Sequence, residues 1–427
     1  AVFDYMAFSR TDQDENTFFS GIKKLEPGCS ISIKDNKLKI HEWYDLRSNI
    51  KEPFANALDF REVFKSAVGL RLQSDVPLGV CLSGGLDSSS ITSTLLKDFS
   101  LSDLKTFSAI YEKNQNCDES EYIYEYKDVL KNMHFTTPSA ETLINDLSDF
   151  LKAHGEPTPS AASYAQYRVM KSAKGKIVVT LDGQGADEQL AGYHFYFSFF
   201  FKGLLREFRL FKLFSEIYHY LNIHRSIHSL KIFLYHILPE KFRTGTKEKG
   251  YLTKTFSDAF FKTSIVERLY DSKNLNESLI NHFEKKLAII LKWEDRNSMW
   301  HSLESRVPFL DHRIVEKTLS LPGASLINNG MTKVILRESM KGLLPEKIRL
   351  RQDKIGFGTP QDEWFRQPAF QKYIWEMLNS EEFKNRNIID CKKAKSIYQK
   401  HLDHKQNFAD EIWKWINLDL WFKEYIN

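Results

Sequence analysis

Short apolar segments alternate with segments of helical spacing between residues 76 and about 190, and this alternation constrains the fold most. The apolar segments are VPLGVCL (76–82), KTFSAIY (105–111), MHFTT (133–137) and KIVVTLDG (176–183). The helical segments between them are LDSSSITSTLLKD (86–98), ESEYIYEYKDVLKN (119–132) and ASYAQYRVMKSAK (162–174). The alternation predicts a parallel, doubly wound α/β sheet. Ligands of this architecture bind beyond the carboxyl ends of the strands.

A loop rich in glycine and serine follows the first of these strands. In VCLSGGLDSSSITSTLL (80–96) an apolar strand ends at Leu82, two glycines follow, and a helical pattern begins near Leu86. Gly84 and Gly85 allow a sharp turn and a close approach of the backbone to a ligand. The free N–H groups and the positive dipole end of the next helix form an anion site. Hydroxyl groups add further donors from Ser83, Ser88 and Ser89. The alternative is a Gly-Ser turn that caps a helix.

Asp87 lies inside this anion site, although a carboxylate repels phosphate. A divalent cation that bridges the two would remove the repulsion, and hard oxygen ligands favour Mg²⁺. The loop has neither the lysine of GxxxxGK[ST] nor the spacing of GxGxxG. Its strand–SGGxDSS–helix arrangement is similar to the PP-loop of ATP pyrophosphatases, which cleave ATP between the α and β phosphates.

Three further segments resemble the asparagine synthetase family. They are LDGQGADEQLAGY (181–193), ESRVPFLDHRIVEKTLSLP (304–322) and GMTKVILRESMKGLLPEKIRLRQDKIGFGTP (330–360). With the loop, the resemblance covers about residues 60–365 and points to the glutamine-hydrolysing type. It implies a PP-loop ATP pyrophosphatase fold of the adenine nucleotide alpha hydrolase-like type. That fold would carry a largely helical insertion at about 194–280 and a helical C-terminal region.

The same resemblance implies roles for particular residues. Asp87 and Asp187 would hold Mg²⁺, and Lys333 would stabilise negative charge during adenylation. ATP and pyrophosphate would be bound by Ser83, Gly84, Gly85, Leu86, Asp87, Ser88, Ser89, Ser108, Ile110 and Gly183. Asp311 would be a catalytic residue, and Glu156 would lie near the site. Apart from the resemblance, Glu304 and Arg306 are expected to form a buried or half-buried charge pair with a structural role. Helix capping explains Asp187, Glu188 and Asp311 in the alternative interpretation, and Lys333 would then be a solvated surface lysine.

Gln184 departs from the pattern of the family, which usually has glutamate within GEG(S/A)DE at this position. A carboxylate there can accept a proton from ammonium, and an amide cannot. Gln184 can still orient a nucleophile through hydrogen bonds. Relatives that close a lactam ring also replace this glutamate, so the identity of the attacking amine is open.

Residues 18–46 predict two short strands around the turn Lys34-Asp35-Asn36 and resemble the closing strands of a glutaminase domain. None of the four cysteines suits the N-terminal nucleophile of such a domain. We therefore expect residues 1–50 to be the remnant of an N-terminal glutaminase-type domain with its linker. The ligase domain would then cover 51–427. A naturally shortened protein that uses free ammonia is the alternative.

The insertion is aromatic and basic, with ten Lys/Arg and four Asp/Glu between 201 and 250. Its apolar residues recur at helical spacing, which favours packed helices with solvated basic faces. A partner surface for RNA, a membrane or an anionic peptide is the alternative. The chain as a whole is nearly balanced, because 60 basic and 56 acidic residues give a net charge of +4. We therefore expect no nucleic-acid partner, and the lack of a long apolar run predicts no membrane partner. The four scattered cysteines favour a cytoplasmic protein, which could be a homodimer.

The sequence therefore predicts an amide-forming ligase that depends on ATP and Mg²⁺. It would adenylate a carboxylate, with the aspartate side chain as the first choice, and release pyrophosphate. Nitrogen from glutamine or ammonia would then displace AMP. A ligase acting on a peptide or amino-acid amine is the first alternative, and a non-catalytic ATP-binding protein is the second.

Overall fold

The computed structural model describes residues 1–12, 14–112, 117–238, 250–261, 272–353 and 358–426. The strands are β1 (Cys29–Lys34), β2 (Lys37–Glu42), β3 (Leu78–Cys81), β4 (Lys105–Ala109), β5 (Asn132–Thr136), β6 (Val179–Leu181), β7 (Glu304–Arg306), β8 (Ile327–Asn328) and β9 (Met331–Thr332). The helices of the first half are α1 (Val2–Phe8), α2 (Ala57–Leu70), α3 (Leu86–Lys97), α4 (Ser120–Ile123), α5 (Ala140–His154), α6 (Ala162–Ala173), α7 (Ala186–Gln189), α8 (Tyr196–Arg206), α9 (Leu210–His224) and α10 (His228–Ile237). Those of the second half are α11 (Lys254–Phe260), α12 (Leu275–Trp300), α13 (His312–Thr318), α14 (Gly323–Leu326), α15 (Val334–Ser339), α16 (Glu346–Arg349), α17 (Gln361–Trp364), α18 (Pro368–Asn379), α19 (Glu381–Asn385), α20 (Cys391–Leu402) and α21 (Ala409–Tyr425).

A five-stranded parallel sheet of order β5-β4-β3-β6-β7 lies at the centre. The chain leaves β3 toward β4 on one side and later returns to β6 on the other. The carboxyl end of β3 is therefore the switch point at which an α/β sheet binds its ligands. This arrangement brings the loops after β3 and β6 together.

Helices cover both faces of the sheet, so the predicted doubly wound α/β fold is confirmed. On one face Cys81 and Phe107 pack with Val169 and Met170 of α6. On the other face Val80 joins a core that α2 and α3 share. Successive residues of β3 thus point to opposite faces, as the pleat of a strand requires.

Two sequence expectations about this region need correction. The helix expected over 119–132 shrinks to α4 and a 3-10 turn at Tyr124–Tyr126. β7 was not predicted, because Glu-Ser-Arg has no apolar residue to signal a strand. It joins the sheet because its backbone pairs with β6.

The aromatic segment forms α8, α9, α10 and α11 where it is described, in agreement with the predicted helical insertion. Parts of it, 239–249 and 262–271, lie outside the described residues, as do 354–357 of the predicted lysine segment. A second core joins the C-terminal helices to α1. Tyr5 of α1 is buried there with Trp413, Trp415 and Trp421 of α21.

β1 and β2 form the predicted antiparallel hairpin. Its turn residues Asp35 and Asn36 have φ angles of 52° and 58°, which is the left-handed region that a tight hairpin turn uses. The other residues of both strands are exposed apart from Cys29, which is half-buried. The hairpin therefore stands away from both cores.

Candidate active site

The glycine- and serine-rich loop turns sharply between β3 and α3. Gly84 has φ +76°, and a Cβ there would lie 2.9 Å from Cβ of Tyr122. The loop is closed by N–H of Ser83, which donates to Oγ of Ser88 at 3.2 Å. Gly85 caps α3 without a side-chain hydrogen bond. The N–H groups of the first turn of α3 are therefore available to an anion.

Lys333 connects this loop to the loop after β6. Its Nζ lies 2.6 Å from both carboxylate oxygens of Asp87 and 2.6 Å from Oδ1 of Asp187. Only 4% of the lysine side chain is exposed. The sequence alternative of a solvated surface lysine is therefore wrong. The structure therefore brings together Asp87, Asp187 and Lys333, which the resemblance identified as the main charged residues of the site.

The backbone places this lysine in an uncommon way. Lys333 has φ +54° and precedes α15, directly after the hairpin of β8 and β9. Few residues with a Cβ adopt this conformation without compensation from their surroundings. Here the ion pairs with Asp87 and Asp187 hold the side chain.

Gly192 leaves the space that this contact requires. A Cβ on Gly192 would lie 1.9 Å from Oδ1 of Asp187 and 2.4 Å from Cε of Lys333. Gly192 was not predicted as a site residue. The one feature of the sequence that could have pointed to it is its place in LAGY, which ends the second motif.

A cavity with three cationic side chains, called the basic cavity below, opens beside Lys333 at the start of α3, and Asp87, Glu119 and Asp353 line it as well. Arg337 and Arg351 line it, together with Gly85 and Leu86 from the loop. Arg351 pairs with Glu119 at 2.6 Å and donates to the carbonyl of Gly84 at 3.3 Å. Burial lowers the pKa of Arg337 to about 10, so it still carries its charge at neutral pH. Both arginines lie in segments quoted for the resemblance, but the sequence did not single them out.

An apolar cavity lies on the other side of the loop, against the sheet. Phe107, Tyr111 and Val169 line it, as do Leu82 and Ser108. The Ser108 hydroxyl donates to the carbonyl of Leu82 at 2.6 Å, which ties β4 to the end of β3. This cavity lies close to the phosphate loop, and its lining is mostly apolar.

Ile110 follows β4, and its N–H already donates to the carbonyl of Thr136 at 3.0 Å. Ser89 is fully buried, and the carbonyl of Ser89 accepts from Tyr126. Gly183 allows the two loops to approach, since a Cβ there would lie 2.9 Å from Cβ of Asp87. The ligand-binding roles of Ile110, Ser89 and Gly183 stay predictions.

A polar cleft of about 180 Å³ is the third opening at this edge. Most of its lining is charged or polar and comes from Ser83, Asp87, Ser88, Glu119, Ser163, Gln166, Asp182, Gln184 and Asp187. Tyr193, Ile290 and Trp293 also line it. It shares Ser83 with the apolar cavity and Asp87 with the basic cavity. The three openings therefore meet at the loop.

Glu294 of α12 lies directly behind Gln184. Gln184 and Asp182 both lie close enough to influence its pKa, and the Ser305 hydroxyl donates to it at 2.7 Å. Gln166 donates to the other oxygen of Glu294. The only sequence signal for this glutamate was an acidic residue at a buried position of the long helix.

Asp182 and Glu294 are both almost fully buried. Burial raises the pKa of Glu294 well above its ordinary value, and the nearby Asp182 raises it further. Burial also raises the pKa of Asp182. Two adjacent buried carboxyls do not both ionise readily, so the pair is harder to ionise than two exposed carboxyls.

The remaining predicted residues have structural contacts. Asp311 caps α13 and pairs with Arg71 at 2.5 Å and Arg313 at 2.8 Å, and these hydrogen bonds lower its pKa despite burial. Its catalytic role stays a prediction. Glu156 accepts from the N–H of Phe18 at 2.9 Å.

Other charged residues also have structural contacts. Glu156 pairs with Lys292. Glu304 and Arg306 form the predicted pair at 2.7 Å, although Glu304 is mostly exposed.

The carboxylates of Asp87 and Asp187, which both contact Lys333, suit a magnesium ion in the presence of a nucleotide. Mg²⁺ usually takes one or two carboxylates and completes its shell with water and phosphate oxygens. Within the described ranges there is no cluster of three or more His, Cys, Asp or Glu side chains suited to a metal. Asp87 and Asp187 therefore fit an ion that arrives with its nucleotide.

Comparison with known proteins gives the family. The family model described as asparagine synthase matches residues 59–423, which is most of the chain. The chain belongs to the asparagine synthase family.

Relatives within the asparagine synthase family differ widely from this chain. It is 28% identical to asparagine synthetase [glutamine-hydrolyzing] 1 of Bacillus subtilis (strain 168), over 99% of this chain and 68% of the relative. It is 25% identical to asparagine synthetase [glutamine-hydrolyzing] 3 of the same organism, over 78% of this chain and 54% of the relative. Amidase chry2 of Gibberella zeae is 24% identical over 93% of this chain and 67% of that protein. The chain thus spans about half to two thirds of the length of these relatives.

Membership of the asparagine synthase family supports an ATP-dependent amide-forming ligase. No helix of the described ranges is long and apolar enough to cross a bilayer.

Proposed function

We propose that this protein forms an amide by adenylating a carboxylate with ATP and then transferring nitrogen to it. The observation that carries the proposal is the convergence of Asp87, Asp187 and Lys333 at the amino end of α3. This convergence sets two acidic groups and a lysine at an anion-binding helix end, with a basic cavity beside them. This arrangement suits the triphosphate of ATP, on which negative charge builds up as pyrophosphate leaves.

Each side of the loop has a function in this proposal. The apolar cavity receives the nucleoside, and the first turn of α3 binds the β and γ phosphates. The Lys333 side chain moves away from Asp87 and Asp187 and contacts the α phosphate. Arg337 and Arg351 stabilise the departing pyrophosphate. Mg²⁺, held by Asp87 and Asp187, would neutralise phosphate charge.

The substrate carboxylate binds in the polar cleft. One of its oxygens attacks the α phosphorus, the bond to pyrophosphate breaks, and an acyl-adenylate forms. An amine then attacks the acyl carbon, and AMP leaves with the carboxylate oxygen. Aspartate is the first choice of substrate, in line with the names of the two B. subtilis relatives, which are asparagine synthetases.

Glu294 supplies the carboxylate that position 184 lacks. The Gln184 amide holds the amine, while an ionised carboxylate of the Asp182–Glu294 pair accepts its proton. The arrangement serves ammonia as well as a larger amine. It therefore leaves a peptide or amino-acid acceptor as the second candidate function, which Gln184 favours.

Replacing Glu294 with glutamine tests this step. We expect adenylation to continue while amide formation falls by about 10²–10⁴-fold, the usual contribution of a general base. Because the base must be ionised, the wild-type rate should rise with pH as the pair loses its proton, and E294Q should lose this rise. Isotope exchange between pyrophosphate and ATP reports the first step, and product analysis reports the second.

The exposed carboxylate of Asp149 provides a matched control, because D149N removes a charge that does not shift the pKa of either member of the pair. If E294Q lost pyrophosphate exchange and amide formation to the same extent, Glu294 would not act only in the second step.

A face of the hairpin supports a glutaminase-type partner domain. Ile31 pairs with Ile40 and Ile33 with Leu38, so all four side chains share one face. They are between 46% and 72% exposed. We propose that a domain which releases ammonia from glutamine covers this face.

The whole proposal is tested by incubating the chain with ATP, MgCl₂, ¹⁸O-labelled aspartate and either ammonium or glutamine. We expect AMP and pyrophosphate in equal amounts, one ¹⁸O atom transferred to AMP, and amide formation from ammonium but not from glutamine. ADP with inorganic phosphate would contradict the mechanism. ¹⁸O transfer only with another carboxylic acid would replace aspartate as the substrate.

A further inference from the structure

α9 carries a row of exposed aromatic side chains away from the active site. Phe211, Phe214 and Tyr218 are 97%, 67% and 63% exposed. Their spacing of three and four residues places them on one face of the helix. Phe208 and Leu210, at the start of the helix, are 87% and 43% exposed. These five residues are called the aromatic ridge below.

The opposite face of α9 is firmly held by the protein. Glu216 is fully buried and accepts the N–H groups of Asn329 and Gly330 at 2.8 and 3.1 Å. His224 lies 2.9 Å from the carbonyl of Gly330. The helix is thus fixed against the hairpin that leads into Lys333. The exposure of the ridge is therefore a stable feature of the fold.

Basic side chains surround the ridge. Arg206, Arg209, Arg225 and Lys231 are all exposed, whereas the exposed acidic side chain between 201 and 238 is Glu207. Glu207 lies 3.6 Å from Arg209. The surface keeps an excess of positive charge, so two copies of it would repel each other and an anionic partner would be attracted.

The apolar groups decide between anionic partners. Single-stranded nucleic acids bind in basic grooves where bases stack on aromatic rings. Phe211 instead projects almost completely from the surface, and the ridge also contains the aliphatic Leu210. Leu234 and Ile237 of α10, the next helix in the chain, are 51% and 45% exposed. Aliphatic side chains do not stack with bases, but they do enter a lipid interface.

We propose that the aromatic ridge docks on the surface of an anionic lipid bilayer. α9 would lie in the plane of the interface, with its phenylalanines among the acyl chains and its basic residues at the headgroups. Such contact requires no spanning helix.

Flotation with vesicles tests the proposal on the full chain. Vesicles of phosphatidylcholine with 30% phosphatidylglycerol should carry the protein, and pure phosphatidylcholine should carry much less. F211S/F214S should weaken binding on the order of tenfold or more. R206Q/R209Q should remove most of the preference for phosphatidylglycerol.

Leu58 is 74% exposed on α2, so L58S is the matched control and should bind like the wild type. Thermal unfolding checks that each variant is folded. Absence of wild-type flotation, or equal flotation of F211S/F214S, would overturn the proposal. A dimer that F211S/F214S converts to a monomer, without vesicle binding, would assign the ridge to self-association instead.

Discussion

Replacing Lys333 with methionine is expected to slow adenylation strongly and to destabilise the fold. The ammonium group lies between Asp87 and Asp187, and its loss leaves two nearly buried carboxylates facing each other. Removing one partner of a buried ion pair costs about 3–5 kcal/mol. The rate of the first step should fall by about 10²–10³-fold, the effect of losing one group that stabilises the transition state. Thermal unfolding and pyrophosphate exchange measure the two effects.

Magnesium provides a further test with the same variant. If Asp87 and Asp187 form the metal site, MgCl₂ should restore part of the lost stability of K333M by occupying the place of the ammonium. K333R is the control, because it keeps the charge and should keep most of the stability. A K333M protein as stable as the wild type without Mg²⁺ would contradict the ion-pair assignment. Equal responses of K333M and wild type to Mg²⁺ would remove the metal site from the proposal.

Replacing Gly192 with alanine is expected to have the second largest effect. Its Cβ would overlap Oδ1 of Asp187 at 1.9 Å and Cε of Lys333 at 2.4 Å, so both side chains must move. Overpacking of this kind costs about 1–3 kcal/mol. Displacing two active-site groups by about 1 Å should lower the rate of adenylation by 10²-fold or more.

Gly250 offers a matched control for this substitution. A Cβ on Gly250 would have no atom within 4 Å, and this glycine is outside the positive-φ set. G250A should therefore have wild-type activity and stability. Calorimetric titration with ATP and MgCl₂ would show whether G192A loses nucleotide binding or only turnover. Wild-type turnover in G192A would show that Asp187 and Lys333 need not keep these positions.

The sequence predicted the centre of the site because each part is a local pattern. SGGLDSS follows an apolar strand, LDGQGADE follows another, and parallel strands bring their carboxyl ends to one edge. Asp87 and Asp187 could therefore be placed together. Lys333 came from the resemblance alone, and only the fold showed that it is buried on both carboxylates.

Other parts could not be predicted from local patterns. Glu294 belongs to α12, 110 positions after Gln184, and nothing near it in the chain signals a catalytic carboxyl. The role of Gly192 depends on which side chains lie across from its Cα. β7 exists through hydrogen bonds to β6, since its own residues favour no strand.

The sequence by itself determined the parallel α/β sheet, the anion-binding loop and the family, because these depend on periodicity and on short motifs. The tertiary structure decided how the charges are paired. It placed Lys333 between two carboxylates, Glu294 behind Gln184, and the aromatic ridge on the outside of α9. The physical reason is that burial, charge pairing and exposure depend on distances between residues far apart in the chain, and only the packed fold sets those distances.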